Sequence, residues 1–202
     1  MDMIYTYAML ISIVSFTLAT VLTPGPNNIM MLSSGLTFGY KKTIPHMIGV
    51  AIGFPLMVIA VGLGIGVMFE SFPIVYKVLK YIGISYLLWM AYKIATSNDS
   101  YENKTQNTKP FTFIQAALFQ WLNPKAWIMA ISSTTSFIVS NHNTTLQVLI
   151  IAFIYFLSGI ISTNTWTLGG VFLNKFIKNK NSVKIFNITM ALFIVLSVIP
   201  FI

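Results

Sequence analysis

The chain of 202 residues contains no cysteine. Disulfides, thiolate metal sites and thiol relays are therefore excluded. Arginine is absent too, so the formal net charge of +8 rests on lysine alone. Only four acidic residues occur, Asp2, Glu70, Asp99 and Glu102, and none falls in the middle of an apolar run. Paired carboxylates for acid–base chemistry are missing. The two histidines, His46 and His142, have no acidic or thiol companions and make a poor metal site. No Gly-x-Ser-x-Gly pattern surrounds Ser33, Ser34, Ser132 or Ser133, and no base is placed to activate them. These absences argue against an enzyme, and no cofactor or metal is expected. Charge itself is scarce: 8% of the residues are charged, against about 25% in a soluble domain.

Hydrophobic residues make up 56% of the chain, and the mean hydropathy is +0.79. The composition predicts an all-α polytopic membrane protein in a lipid bilayer. The length suits six transmembrane helices in a single domain, 1–202. In such a chain the lysines report orientation and do not imply nucleic-acid binding. The first apolar stretch lacks a basic leader and a small-residue cleavage site, so it is expected to be a span and not a secretory signal.

The chain is organised around Thr23-Pro24-Gly25-Pro26-Asn27-Asn28. This stretch interrupts an uncharged region from about Met3 to Tyr40. One straight helix of that length would run about 55 Å at ~1.5 Å per residue, and a bilayer core is only ~30 Å thick. The segment must therefore be two pieces. Pro24 and Pro26 remove backbone donors, and Gly25 is expected to supply a conformation that other residues avoid. Asn27 and Asn28 then open the second piece, where they can cap it or face a ligand. Its free N–H groups and dipole favour a carboxylate. A second break, Leu122-Asn123-Pro124-Lys125-Ala126-Trp127, lies about half a chain further on. Paired interruptions in two halves point to a transporter site.

Six spans follow. The first runs from about Ile4 to Leu22 and resumes from Asn28 to Phe38. The others cover about Thr43–Phe69, Val78–Ile94, Phe111–Val139 (broken at Asn123-Pro124), Thr145–Leu173, and Ile185 to the end. The polar loop 98–109 separates halves of about 1–97 and 110–202. Each half has an odd number of spans, so two inverted three-helix repeats are expected, with helices 1 and 4 broken. Lysines crowd the loops after spans 1, 3 and 5, which puts both termini outside. Gly49-x-x-x-Gly53 suits close helix contact, either within the chain or in a homodimer.

Neutral amides are the main polar groups at membrane depth: Asn27, Asn28, Gln120, Asn123 and Asn164. They suit a zwitterion, offering donors to a carboxylate and acceptors to an ammonium. Lys125 is the one charge beside a break; it either serves the site or snorkels to the nearer surface. His46 is either an interfacial residue or a titratable group near a cavity mouth. The expected substrate site comprises Pro24, Gly25, Pro26, Asn27, Asn28, Asn123, Pro124, Lys125 and Asn164.

With Thr-Pro-Gly-Pro-Asn-Asn and Leu-Asn-Pro-Lys-Ala-Trp in this order, the chain resembles the lysine exporter (LysE/RhtB) family of amino-acid efflux proteins. Ser34-Gly35-Leu36-Thr37-Phe38-Gly39, the Gly49/Gly53 pair, and Lys80-Tyr81-Ile82-Gly83 through Trp89 extend the resemblance over essentially the whole chain. It is most similar to the cysteine/O-acetylserine exporter branch. The resemblance implies a multi-pass exporter of small neutral amino acids in the bacterial cytoplasmic membrane, driven by proton exchange. It departs at Asn27, where many members carry Asp; a neutral Asn27 cannot carry the proton, which would leave His46, Glu70 or the substrate itself. Three rivals are weighed at this point: a divalent cation exporter of the cadmium type, a membrane-embedded enzyme, and a structural or sensor subunit, which would leave the broken helices unexplained.

Overall fold

A computed structural model describes residues 4–65, 71–96, 109–139, 142–177 and 180–199. Every regular element among them is helical. Helix α1 (Tyr7–Leu22) starts at Thr6, whose hydroxyl accepts from Met9 N at 3.3 Å. Helix α2 (Pro26–Phe38) follows at a bend of 57°. It begins two residues before the predicted Asn28, because proline is well suited to a first helical position. Gly39, at φ 77°, turns the chain by itself into α3 (Tyr40–Ala60). Lys41 and Lys42, expected in a turn, thus lie in the first turn of α3. That helix runs through Pro45 and Pro55 and passes into a π-turn, Val61–Ile65, where Gly64 has φ 131°.

Helix α4 covers Pro73–Thr96. Helix α5 (Phe113–Leu122) is opened by a capping box between Thr112 and Gln115, which satisfies two orphan donors reciprocally. Asn123 separates it from α6 (Pro124–Phe137). Helix α7 (Thr144–Asn174) is the longest at 31 residues, and α8 covers Lys180–Val198. The expectations for Glu70, Asp99, Glu102 and loop positions 98–108 lie outside the described residues.

Two helical stretches, Tyr40–Ile65 and Thr144–Asn174, are long and apolar enough to cross a membrane, or three if the bent α1–α2 pair is one span. The predicted six spans are therefore only partly visible in helix length. Helices α5 and α6, with 10 and 14 residues, are about 15 and 21 Å long, short of a ~30 Å core. Helix α4 carries Lys77, Lys80 and Lys93 within its length. The outer surface is apolar, as lipid requires: Ile11, Phe153 and Leu192 are each more than half exposed.

Helix α7 is the central element. Helices α1, α2 and α3 pack on it, α5 packs on α3, and α4 pairs with α8. Glycines set the closest crossings. A Cβ on Gly35 would lie 2.2 Å from Thr167 O, and one on Gly170 would lie 2.0 Å from Leu32 O, so α2 and α7 touch backbone to backbone. Gly49 and Gly53 do the same for α3 on α5, with Phe113 O at 2.5 Å and Ala117 Cα at 2.6 Å. The small-xxx-small pair thus serves packing inside the chain.

His46, either interfacial or near a cavity mouth by expectation, is enclosed by protein and does not line the cavity between the two helix breaks. It is 1% exposed, its ring lies 5.1 Å from that of Phe111, and neither nitrogen has a protein partner among the described residues. A buried polar group without a hydrogen bond costs ~1–3 kcal/mol. His46→Leu, similar in size, is expected to raise the melting temperature in detergent by about 2–4 °C per kcal/mol relieved. A clear fall in melting temperature would show that the imidazole is needed where it is.

Candidate substrate site between the two helix breaks

A helix broken inside a membrane protein frees carbonyls that must be satisfied internally. Here all six carbonyls from Ala19 to Pro24 are accounted for. Ala19 O accepts from Thr23 N at 3.2 Å and Thr20 O from Thr23 Oγ1 at 2.8 Å. Val21 O accepts from Asn28 Nδ2 and Ser162 Oγ, both at 2.7 Å. Leu22 O accepts from Trp166 Nε1 at 3.3 Å. Thr23 O accepts from Asn28 Nδ2 at 2.7 Å and from Lys125 Nζ at 2.8 Å. Pro24 O accepts from Lys125 Nζ at 3.3 Å. The end of α1 is closed by side chains of α2, α6 and α7, which is why it can stop there.

Lys125 joins the two breaks. Its ammonium also donates to Thr23 Oγ1 at 2.8 Å. A cation at a helix C-terminus is favoured by the dipole. The second break uses the same economy of groups. Asn123, 2% exposed, accepts from Lys125 N at 3.1 Å through Oδ1 and so caps α6. Trp127 Nε1 donates to Trp121 O at 2.9 Å.

Gly25 corrects a sequence expectation. Its φ of −177° is extended backbone that any residue adopts. Glycine leaves space instead: a Cβ there would lie 2.8 Å from Lys125 Cδ and 3.0 Å from its Nζ, and the lysine side chain would have to shift. That space is taken by a residue a hundred positions away.

A second contact crosses between the breaks. Asn27 Nδ2 donates to Gln120 Oε1 at 2.8 Å, and Gln120 Nε2 reaches back to Asn27 Oδ1 at 3.4 Å and to Ala116 O at 2.8 Å. Gln120 is fully buried.

Around these contacts lies a cavity of about 50 Å³, counted as space open to the centre of a water-sized sphere. One water needs ~10–15 Å³ on this measure, so the cavity admits a small solute. Gly25, Asn27 and Asn28 line it from the first break, and Asn123, Lys125 and Ala126 from the second. Val50, Phe54 and Pro55 of α3 and Tyr155, Gly159, Ser162 and Thr163 of α7 complete much of the wall. No side chain caps α2; with Pro26 at its first position, the N–H groups of Asn27 and Asn28 have no helical acceptor. Lys125 Nζ and these amides together form a positive corner. Pro55, which lines the α3 wall, has no N–H to offer. One end of the cavity can thus hold an anion, and the remainder combines hydroxyls with Phe54, Ala126 and Met129.

Of the nine residues expected in the site, Gly25, Asn27, Asn28, Asn123 and Lys125 line the cavity. Pro24, Pro26 and Pro124 shape the breaks; Pro26 and Pro124 are the first residues of α2 and α6. Asn164 does not line it. Its Oδ1 accepts from Tyr40 OH at 2.5 Å and its Nδ2 donates to Ile160 O at 2.8 Å. Tyr155 lines the cavity and was not singled out from sequence. It stands among ordinary aromatics of a long apolar helix, and only the approach of α3 and α6 sets it apart. Among the described residues, no three His, Cys, Asp or Glu side chains come together in a group able to hold a metal ion.

Comparison with known proteins bears on the same geometry. Residues 18–201 match the family model described as LysE type translocator. The cysteine/O-acetylserine efflux proteins of Salmonella choleraesuis (strain SC-B67) and Salmonella typhimurium (strain LT2) are each 31% identical over 157 residues, covering 77% of this chain and 79% of theirs. The protein of that name from Escherichia coli O1:K1 is 28% identical over 182 residues, 90% of this chain and 91% of its own. No solved structure matches the chain. The family match embraces both helix breaks and the cavity between them, and the chain belongs to the LysE type translocator family.

Proposed function

We propose that the protein exports small neutral amino acids or their derivatives across the bacterial cytoplasmic membrane, and that the cavity between the two breaks is its substrate site. It is a transporter and not an enzyme. The observation that carries the site is the meeting of both breaks at one small cavity with a positive corner. A substrate carboxylate binds at Lys125 and the amide end of α2. The ammonium faces the hydroxyls of Ser162 and Thr163 on α7. The side chain lies towards Phe54, Ala126 and Met129. The relatives are named for cysteine and O-acetylserine, both neutral amino acids with short side chains, and we assign this chain the same class of cargo.

The reading includes six spans in two inverted halves, with α1–α2 and α5–α6 as the broken first and fourth. Exchange of halves turns the packing of the first span on the fifth into that of the fourth on the second, and both occur through glycine. The second and fifth spans (α3, α7) pack on each other, as do the third and sixth (α4, α8). Both support a pseudo-two-fold arrangement. Lysine placement supports both termini outside. Two contacts tie the halves at the site, Lys125 to Thr23–Pro24 and Asn27 to Gln120, and rocking of the halves alternates access by releasing them. Proton exchange draws on a titratable group that meets the cavity. Lys125 does so and His46 does not.

The test is export from cells loaded with a dipeptide panel. Asn27→Ala loses the pair with Gln120, and Asn123→Ala loses the cap of α6 beside the cavity. Each is expected to lower export at least tenfold, about 1.4 kcal/mol, with the protein still in the membrane. Unchanged export in both variants would remove the site from the cavity.

A further inference from the structure

We infer that Gly159 sets the upper limit on the length of the cargo's side chain. The inference rests on the export reading above. Helix α7 presents Tyr155, Gly159, Ser162 and Thr163 to the cavity, a spacing that puts them on one helical face. Gly159 is in the middle of that face. A side chain there would enter the space left for the substrate.

Packing does not require this glycine. The glycines of the helix crossings, Gly35, Gly49, Gly53 and Gly170, would each bring a Cβ within 2.0–2.6 Å of a neighbouring helix. Gly159 would not: the nearest atom to its Cβ is Ala51 Cα at 3.6 Å, with Ala51 Cβ at 4.0 Å, which is ordinary contact. Backbone conformation does not require it either, since the positive-φ glycines among the described residues are Gly39 and Gly64. Glycine in a helix interior is less stable than alanine. The missing methyl at 159 therefore destabilises α7 with no packing or conformational return. What it leaves is room in the cavity wall beside Ala51. A cavity this small changes its selectivity when one methyl is added. In a tight apolar pocket one methylene discriminates by about 10- to 200-fold.

The experiment compares wild type and Gly159→Ala in cells loaded to equal internal levels of alanine, serine, cysteine and O-acetylserine. Export of each is measured over time, and the melting temperature of each purified protein is measured in detergent. The expected result is an export ratio of O-acetylserine to the shorter amino acids at least tenfold lower in the variant, with a melting temperature equal to or above wild type. Gly159→Leu is expected to stop export of every member. If the variant lowers all exported members in proportion, or leaves all unchanged, Gly159 does not set length. A lowered melting temperature in Gly159→Ala also overturns the inference, because packing would then account for the glycine. A wild type that exports none of the four overturns the export reading itself, an outcome distinct from an unaltered ratio.

Discussion

Lys125→Met is expected to abolish amino-acid export while leaving a folded protein in the membrane. Methionine keeps the apolar length over Gly25 and removes only the ammonium. The stability terms nearly offset. A lysine at membrane depth costs ~2.5–3.5 kcal/mol, and each good hydrogen bond from a charged donor contributes ~1.5–3 kcal/mol. Lys125 Nζ makes two such bonds at 2.8 Å and a longer one at 3.3 Å. After its loss Thr23 O still has Asn28, while Pro24 O loses its donor. The net change in stability is therefore about 0–3 kcal/mol, within reach of a folded chain. Transport has no such offset: the positive corner of the cavity and the tie between the halves vanish together. Lys125→Arg keeps the charge but must fit a planar fork against Gly25, where space is already tight; export intermediate between wild type and Lys125→Met is expected. The assay pairs export from dipeptide-loaded cells with quantification of the protein in membranes. Export near the wild-type rate in Lys125→Met would show that neither the carboxylate nor the gating assignment is right.

The second large effect is on folding. Gly170→Val should leave almost no folded protein. Its Cβ would lie 2.0 Å from Leu32 O and 2.8 Å from Leu36 N, both backbone atoms of α2, so no rotamer change relieves the clash. Helices α2 and α7 would have to separate. Overpacking typically costs ~1–3 kcal/mol and more where the backbone must move. The same separation would pull Ser162 and Trp166 of α7 from the carbonyls they close at the end of α1. The adjacent Gly169 is the control. Its Cβ would meet only Leu32 Cδ1 at 3.4 Å, the movable tip of a side chain, so Gly169→Ala is expected to fold normally. Membrane yield and monodispersity in detergent distinguish the two. Equal yields from Gly170→Val and Gly169→Ala would refute the close crossing.

Much of the site was legible because backbone chemistry is local. Pro24-Gly25-Pro26 and Asn123-Pro124 announce where helices stop, whatever surrounds them, since proline lacks an N–H and its ring clashes with the preceding turn. A charge-free run too long for one straight span demanded a break. The absence of cysteine, of paired acids and of a serine–base pattern removed whole classes of chemistry without reference to a fold. The order of the two break motifs carried the family.

The tertiary structure decided what depends on residues far apart in the chain. Gly25 looked like a conformational glycine, yet it serves the approach of Lys125. Asn164 and Asn123 looked alike as amides at depth; one is tied to Tyr40 and the other borders the cavity. His46, a plausible cavity group by sequence, is enclosed against Phe111. Tyr155 carried no signal among the aromatics of a long helix and became a cavity wall only when α3 and α6 came to face it. Sequence fixes the backbone's local options through donors, sterics and hydrophobic length. The partner of a side chain is set by helix crossings, and those are decided by which glycines let two backbones touch.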